Sequence, residues 1–328
     1  IDKIIEALFQ IQGGYALVML TQNKLIGVRD PFGIRPLVIG KLKGSFILAS
    51  ETCALDIVGA TFVREVDNGE IIVVENNKMS SIKPFPKQKA RPCIFEYIYF
   101  ARPDSLVDGK CAYEYRKNLG VFLAKEGDIK PDVIVPVPDS GVPAALGYSQ
   151  ETNIPFELGL IRNHYVGRTF IEPTQQIRSL GVKLKLNPNL SSIKNKIVLL
   201  VDDSLVRGTT SFKIIKMLYD SGAKEVHMRI ASPQIKFPDF YGVDTPTQEE
   251  LLAANKNLEE MCDHIGAKSL NFLSIESLYK ALGYSNRNEK TPQFTDHYFT
   301  GDYPVRPIDY LNDNKIKKLS SLSLASNH

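Results

Sequence analysis

The sequence predicts an α+β region rich in antiparallel strands, followed by an α/β domain built on a mostly parallel sheet. Three observations carry this. In the first quarter of the chain, short apolar runs recur with turn residues at close intervals, the mark of an antiparallel, sandwich-like layer. In the second half, strand-like and helix-like runs alternate, which requires crossover connections and hence parallel pairing. The run Val198-Leu199-Leu200-Val201-Asp202-Asp203-Ser204-Leu205-Val206-Arg207-Gly208-Thr209-Thr210 reads as a buried strand, two adjacent acids, then a small-residue loop opening a helix.

Totals bound the rest. The 328 residues allow about two domains. An apolar share of 43% and a charged share of 23% are ordinary for a soluble globular protein, and a net charge of +3 is too small to argue for nucleic acid. No apolar run is long enough for a membrane span. Cys53, Cys93, Cys111 and Cys262 form no Cys-x-x-Cys pair, which suggests a reducing, cytoplasmic setting without a disulfide framework.

In chain order, Ile1-Asp2-Lys3-Ile4-Ile5-Glu6 has an amphipathic helix pattern and is not a signal peptide. Strands are expected over residues 14–20, 24–29, 37–40, 45–50 and 70–75, with 76–79 ending a hairpin. Arg29-Asp30-Pro31-Phe32-Gly33-Ile34-Arg35-Pro36 joins two of them and reads as a rigid structural turn with internal ion pairs. Residues 83–92, proline-rich and basic, read as a solvated linker. Domains are therefore expected at 1–82 and 93–285, with 286–328 as an irregular extension whose Ser/Lys-rich end frays. Beyond the linker, helices are expected over 112–125, 142–150 and 211–220, the last with Phe212, Ile215, Leu218 and Tyr219 on one face. Strands are expected over 132–138, 197–201 and 225–230.

The chemistry concentrates in three segments. Ligands in open α/β sheets sit beyond the carboxyl ends of the strands, where Asp202 and Asp203 fall. Two carboxylates there suit ribose hydroxyls or a Mg²⁺ that keeps most of its waters, and the loop after them offers amides and hydroxyls to a phosphate. The loop has neither the Gly-x4-Gly-Lys-Ser/Thr spacing nor the several glycines of a dinucleotide fingerprint. A solvated Asp-Asp turn is the plain alternative. Pro136-Val137-Pro138-Asp139-Ser140-Gly141-Val142-Pro143 follows another strand, and the Ser140 and Gly141 amides are expected to face an anion. Residues 162–185 form a long, cation-rich loop able to close over a charged substrate.

The 198–210 segment resembles the phosphoribosyl-pyrophosphate (PRPP) motif of type I phosphoribosyltransferases. With Arg29 to Pro36, Ala49-Ser50-Glu51-Thr52, Glu96-Tyr97-Ile98-Tyr99-Phe100-Ala101-Arg102-Pro103-Asp104-Ser105, Tyr165-Val166-Gly167-Arg168-Thr169-Phe170 and Phe237-Pro238-Asp239-Phe240-Tyr241-Gly242-Val243-Asp244, the whole chain resembles the amidophosphoribosyltransferases. That resemblance implies part of an N-terminal-nucleophile glutaminase sandwich followed by a type I phosphoribosyltransferase domain. It implies formation of 5-phosphoribosylamine from PRPP and glutamine-derived ammonia, the first committed step of purine synthesis, with Mg²⁺. Asp202 and Asp203 would take the metal and the ribose hydroxyls. Ser204, Leu205, Val206, Arg207, Gly208, Thr209 and Thr210 would hold the 5-phosphate. Asp139, Ser140 and Gly141 would lie in the pyrophosphate loop, with Ser140 near the metal. Arg168 would act in the closing loop and Tyr165 would border the route for ammonia. Homo-oligomers and feedback by purine nucleotides are implied as well, with no nucleic-acid or membrane partner.

Two departures from the family follow. Its glutaminase begins with a cysteine whose own amine serves as base. Ile1 offers no nucleophile, and the glutamine-binding positions lie upstream of it, so a truncated chain without glutaminase activity, with exposed strand edges, is expected. Some members also carry an iron–sulfur cluster on four cysteines. Here Cys93 alone matches a ligand position, with Asp239 at the second and Pro292 and Thr295 near the others, so no cluster is expected. Another type I phosphoribosyltransferase and a non-catalytic PRPP-sensing regulator remain the alternatives.

Overall fold

The structure is a computed structural model that describes residues 1–127, 129–163, 185–245 and 247–307. Two compact units form. One contains Ile1–Ile94, Phe237–Gln248 and residues 288–307; the other contains Phe95–Lys236 and Glu249–Arg287.

In the first unit, strands β1 (Ala16–Leu20), β2 (Lys24–Arg29), β6 (Ile71–Glu75) and β7 (Lys78–Ile82) make an antiparallel sheet in the order β1-β2-β6-β7. Strands β3 (Val38–Leu42), β4 (Ser45–Ala49) and β5 (Thr61–Glu65) make a second sheet, in the order β4-β3-β5. Both two-residue hairpin turns, Lys43-Gly44 and Asn76-Asn77, have positive φ at each position, the twist that closes right-twisted strands. Strand period sets the layers. Ile71 and Val73 pack with Leu8 of helix α1 (Asp2–Leu8) and with Ile26 and Val28, whereas Ile72 packs with Leu37 and Ile39. β6 is thus covered on both faces, which explains its unbroken apolar run. The edge strand β1 leaves Val18 and Leu20 outward, 53% and 81% exposed. The short helix α2 (Thr52–Val58), which the strand-rich reading did not anticipate, leaves Ile57 exposed at 72%.

The turn after β2 is structural, as expected, and hydrogen bonds to its own backbone hold it beside the Arg29–Asp30 attraction. The Asp30 carboxylate is fully buried and accepts the amides of Tyr15, Phe32, Ile34 and Arg35 at 2.9–3.3 Å. Arg29 donates to the carbonyls of Gly33, Arg35 and Val66 and reaches Glu65 at 3.3 Å. A short turn frees many backbone groups, and these two side chains satisfy them locally.

The expected solvated linker is also different. Phe85 stacks edge-on against Phe9 at 5.2 Å and joins the α1 core. The Arg91 guanidinium reaches Phe294 O and Asp302, and its amide donates to Phe32 O. Proline kept the segment irregular and residues 86–90 are exposed, as a solvated connector requires, but Phe85 and Arg91 found partners. Residues 237–248, expected within the second domain, pack in the first unit.

In the second unit, β10 (Val133–Pro136), β13 (Ile197–Asp202), β14 (Glu225–Ile230) and β15 (Ser269–Phe272) form a wholly parallel sheet in that order. Alternate residues Val198, Leu200 and Ile134, Leu199 are all fully buried, as strands covered on both faces require. Helices α3 (Ala112–Lys125) and α4 (Val142–Thr152) pack together, with α4 touching β10 and β13. The two hairpin strands β8 (Leu106–Val107) and β9 (Lys110–Cys111) precede α3, and β11 (Leu160–Arg162) pairs with β12 (Leu186–Pro188). After the single turn α5 (Leu190–Ile193) and β13 comes α6 (Thr209–Asp220), whose buried face is Ile214, Ile215 and Leu218. Phe212 and Tyr219, expected on that face, are 45% and 37% exposed, because the apolar stripe is one position off the expected one. β15 was missed because its four residues alternate buried and half-exposed, too short a run to stand out.

Glu70 provides a test of the first unit. Its side chain is 1% exposed, and burial alone would raise its pKa. Bonds from Arg64 at 2.7 and 2.8 Å, the Ser81 hydroxyl and the Asp67 amide outweigh that and lower it to about 2. A carboxyl lowered in the fold contributes stability that is present above its ordinary value of 4.5 and lost as pH falls toward 2. Arg64 is partly in solvent, so the contribution is roughly 2 kcal/mol. Glu70→Gln should therefore lower stability by about that amount at pH 7 and flatten the acid limb of urea unfolding between pH 5 and 2. An unchanged acid limb would contradict the assignment.

Candidate functional site

Parallel pairing aligns the carboxyl ends of β10 and β13. Pro136 lies opposite Val201, and the ladder runs one step further, Val137 N donating to Val201 O at 2.8 Å. The chain after β10 turns tightly and the Gly141 amide donates back to Val137 O at 2.9 Å. A side chain on Gly141 would lie 2.3 Å from Val201 O, so only glycine allows the loop this close to β13. The consequence is that the Ser140 hydroxyl meets Asp202 Oδ1 at 3.4 Å.

Asp202 ends β13, and Asp203 follows with 6% exposure. The Asp203 amide donates to Asp202 Oδ1 at 2.9 Å, and Ser204 Oγ donates to Asp203 Oδ2 at 2.7 Å. Asp202 keeps some surface, yet it is densely surrounded, and its carboxyl lies well above the ordinary range. Burial is the main cause; the charge and the hydrogen-bonded carboxyl of Asp203 add to it, against the Asp203 amide and Ser140. Two neighbouring carboxylates with hydroxyls around them create a local demand for a cation. Among the described residues no group of three or more His, Cys, Asp or Glu could hold a metal ion. Two hard carboxylate oxygens and a hydroxyl instead fit Mg²⁺, which takes one or two carboxylates and fills its octahedron with water and ligand phosphates.

The loop from 204 to 210 is fixed at both ends. Leu205 is buried in the sheet core, and the Val206 carbonyl accepts from Leu252 at 2.9 Å. Arg207 pairs with Glu250 at 3.1 Å, both exposed. Gly208 caps α6 with a φ of 77°, a left-handed value that costs glycine little. Thr209 and Thr210 are exposed at the first turn of α6, where backbone N–H groups have no helical partner and attract anions.

The structure thus brings Ser140, Asp202, Asp203 and Ser204 together. It does not turn the Gly141 amide toward a ligand, as expected, because that amide is bonded to Val137 O. Asp139 lies at the loop surface, its carboxylate paired with Arg162 at the end of β11, a partnership the sequence did not reveal. Tyr165 and Arg168, with the rest of the expected closing loop between 164 and 184, lie outside the described residues.

The residues at the expected cluster positions do not fit an iron–sulfur group. The Cys93 thiol is buried and lies 3.3 Å from the Tyr298 hydroxyl, and the Cys93 backbone bridges to Thr295. Asp239 accepts the amides of Tyr241 and Val243, and His297 Nε2 approaches its Oδ1 at 2.9 Å without hydrogen-bond alignment. The Thr295 hydroxyl donates to Arg91 O. One thiol among oxygen and imidazole groups cannot ligate four irons.

Comparison with known proteins follows this division. A glutamine amidotransferase domain family matches residues 2–56, and a phosphoribosyl transferase domain family matches residues 115–231. The amidophosphoribosyltransferase of Rhizobium etli is 58% identical over 98% of this chain, which covers 66% of that protein. The Bacillus subtilis amidophosphoribosyltransferase is 46% identical over 93% of this chain, with 64% of the relative covered, and a chloroplastic enzyme of Arabidopsis thaliana is 51% identical over 94%, with 54% covered. The solved structure of the Bacillus subtilis glutamine PRPP amidotransferase complexed with ADP and GMP superposes with a TM-score of 0.86 at 46% identity, covering 93% of this chain and 67% of that one. The chain spans about half to two thirds of the length of the curated relatives it matches.

Gly141→Ala tests how the loop is held. The added carbon has to push against the Val201 carbonyl, so the second unit should lose about 1–3 kcal/mol, read as an earlier thermal transition. Wild-type stability in this variant would mean that the loop is not wedged against β13.

Proposed function

The chain belongs to the amidophosphoribosyltransferase family, and from that premise we propose that its second unit displaces pyrophosphate from PRPP with ammonia, forming 5-phosphoribosylamine. The observation that carries this is the meeting of the Ser140 loop with the Asp202-Asp203 pair, one short loop before the amides that open α6. PRPP carries an anion at each end, the 5-phosphate and the 1-pyrophosphate, and the site offers a receptor for each. The α6 N-terminus and the Thr209 and Thr210 hydroxyls bind the 5-phosphate. Asp202 and Asp203 orient the ribose hydroxyls and, with Ser140, would hold Mg²⁺, whose chemistry there would be to offset charge on the pyrophosphate.

Attack at the anomeric carbon forms a C–N bond as the C–O bond to pyrophosphate breaks, and the attacking ammonia then loses a proton. Charge develops on the leaving oxygens and on the ribose ring, so fixed dipoles and acids matter more than a protein nucleophile. Asp203, buried with one oxygen engaged by Ser204, is held rigidly enough for this. Arg168 and Tyr165 are assigned to substrate closure and to the ammonia route on the family motif. We extend to this chain the binding of purine nucleotides as inhibitors, on the strength of the ADP and GMP named with the Bacillus structure. Assembly into homo-oligomers is proposed on family grounds, as is a reducing, cytoplasmic setting, supported by four free cysteines.

Phosphoribosylamine formation with PRPP, Mg²⁺ and an ammonium salt tests the reading. Turnover should rise with pH as more ammonia is deprotonated. Asp203→Asn keeps size and packing but removes charge beside the ribose, and turnover should fall by about 100-fold or more while the thermal transition persists. Wild-type turnover in this variant would exclude the acid pair from the chemistry.

A further inference from the structure

Arg162 is the last residue of β11, and its position is set by the fold. It lies opposite Leu186 in the β11–β12 ladder, and the next pair is closed by Asn163 N donating to Lys185 O at 2.8 Å. Leu160 and Leu186 anchor the hairpin in the sheet core. From this stem the Arg162 guanidinium reaches across to Asp139, one residue before the serine that contacts Asp202. Three carboxylates, at 139, 202 and 203, therefore belong to the two loops proposed above for a diphosphate. A metal on the acid pair would offset two of them, and Arg162 is the cation paired with the third.

We propose that Arg162 is a diphosphate-binding residue of this site, its guanidinium spanning Asp139 and the pyrophosphate oxygens of the substrate. The inference rests on the phosphoribosyl-transfer reading. Guanidinium geometry supports it, since five N–H donors in a planar fork can serve a carboxylate on one edge and a phosphate on the other. Exposure supports it too. The Arg162 and Asp139 side chains are 45% and 62% exposed, and an ion pair so solvated contributes little stability, so its donors are cheaply shared with a ligand. A lysine at this position would carry the charge without the fork.

The test is calorimetric binding, in Mg²⁺, of two probes that each represent one end of the substrate: inorganic pyrophosphate and ribose 5-phosphate. Arg162→Ala should weaken pyrophosphate by about tenfold or more, the equivalent of one or two charge-assisted hydrogen bonds. Ribose 5-phosphate should stay within about twofold, since its phosphate goes to the α6 end, and Arg162→Lys should fall between wild type and Ala for pyrophosphate. Equal pyrophosphate binding by wild type and Arg162→Ala overturns the proposal. So does equal weakening of both probes, which would make Arg162 a clasp that shapes the loop. Should the alanine variant not fold, Arg162→Lys decides: pyrophosphate binding as tight as wild type overturns the proposal. A wild-type chain that binds neither probe overturns the phosphoribosyl-transfer reading itself, and this inference with it.

Discussion

The second unit is organised by one pairing, β10 beside β13 in parallel register. It places Pro136 opposite Val201, extends by one bond through Val137, and leaves the following loop nowhere to go except against the Val201 carbonyl. Gly141 is the residue that tolerates that approach, and its amide is spent on holding the turn. Everything chemically suggestive then follows from position: Ser140 at Asp202, Asp203 inward, and the α6 N-terminus one loop further on. A register slip of one residue would turn the inward side chains outward and separate the two loops.

Much of this was legible beforehand because the signals are local. The apolar run before Asp202-Asp203, the helix over 112–125 and the strand over 225–230 each lie within one window of periodic sequence. The first antiparallel layer was equally readable from strand runs and turn residues. What could not be read were features made by distant residues. Nothing near Arg162 names Asp139 as its partner, 23 positions away. Residues 237–248 carry no signal of leaving the parallel domain for the first unit; Asp239 is defined there by His297 and by a turn of its own amides. Phe85 looked like part of a proline-rich connector because proline controls local backbone, whereas its ring is placed by Phe9. The assignment of the Gly141 amide to an anion failed for the same reason: the sequence shows a donor, and the fold decides who receives it.

The family pattern adds what local physics cannot. The Asp-Asp motif is compatible with a solvated turn, and Gly208 alone is a weak phosphate signal. Identity of 46–58% across nearly the entire chain, spanning both the amidotransferase and the phosphoribosyl transferase regions, favours the binding reading of the motif over the plain turn. The Cys93 region shows the limit of carrying a family pattern over. There Cys93 meets the Tyr298 hydroxyl, while Asp239 and Thr295 are bonded to the protein backbone.

The buried acids of the two units differ in how the fold meets them, and that difference is what supports Asp202 and Asp203 as the proposed functional pair. Asp30 is as deeply buried as any residue in the chain, and four backbone amides meet it. Glu70 is buried against Arg64, Ser81 and the Asp67 amide, and its carboxyl is held low, near about 2. Each is satisfied by protein, so each is finished as structure. Asp202 is different: its largest influences besides burial come from another carboxyl, and they push its proton affinity up rather than down. The fold supplies this pair with the Asp203 amide and the hydroxyls of Ser140 and Ser204, but no cation among the described residues, and still leaves the two carboxyls beside each other. Such an arrangement is costly unless a cation and hydroxyls arrive from outside, and a Mg²⁺-bound ribose diphosphate brings both. The contact of carboxyl with carboxyl, more than the presence of acids at a strand end, is what supports the pair as the proposed site.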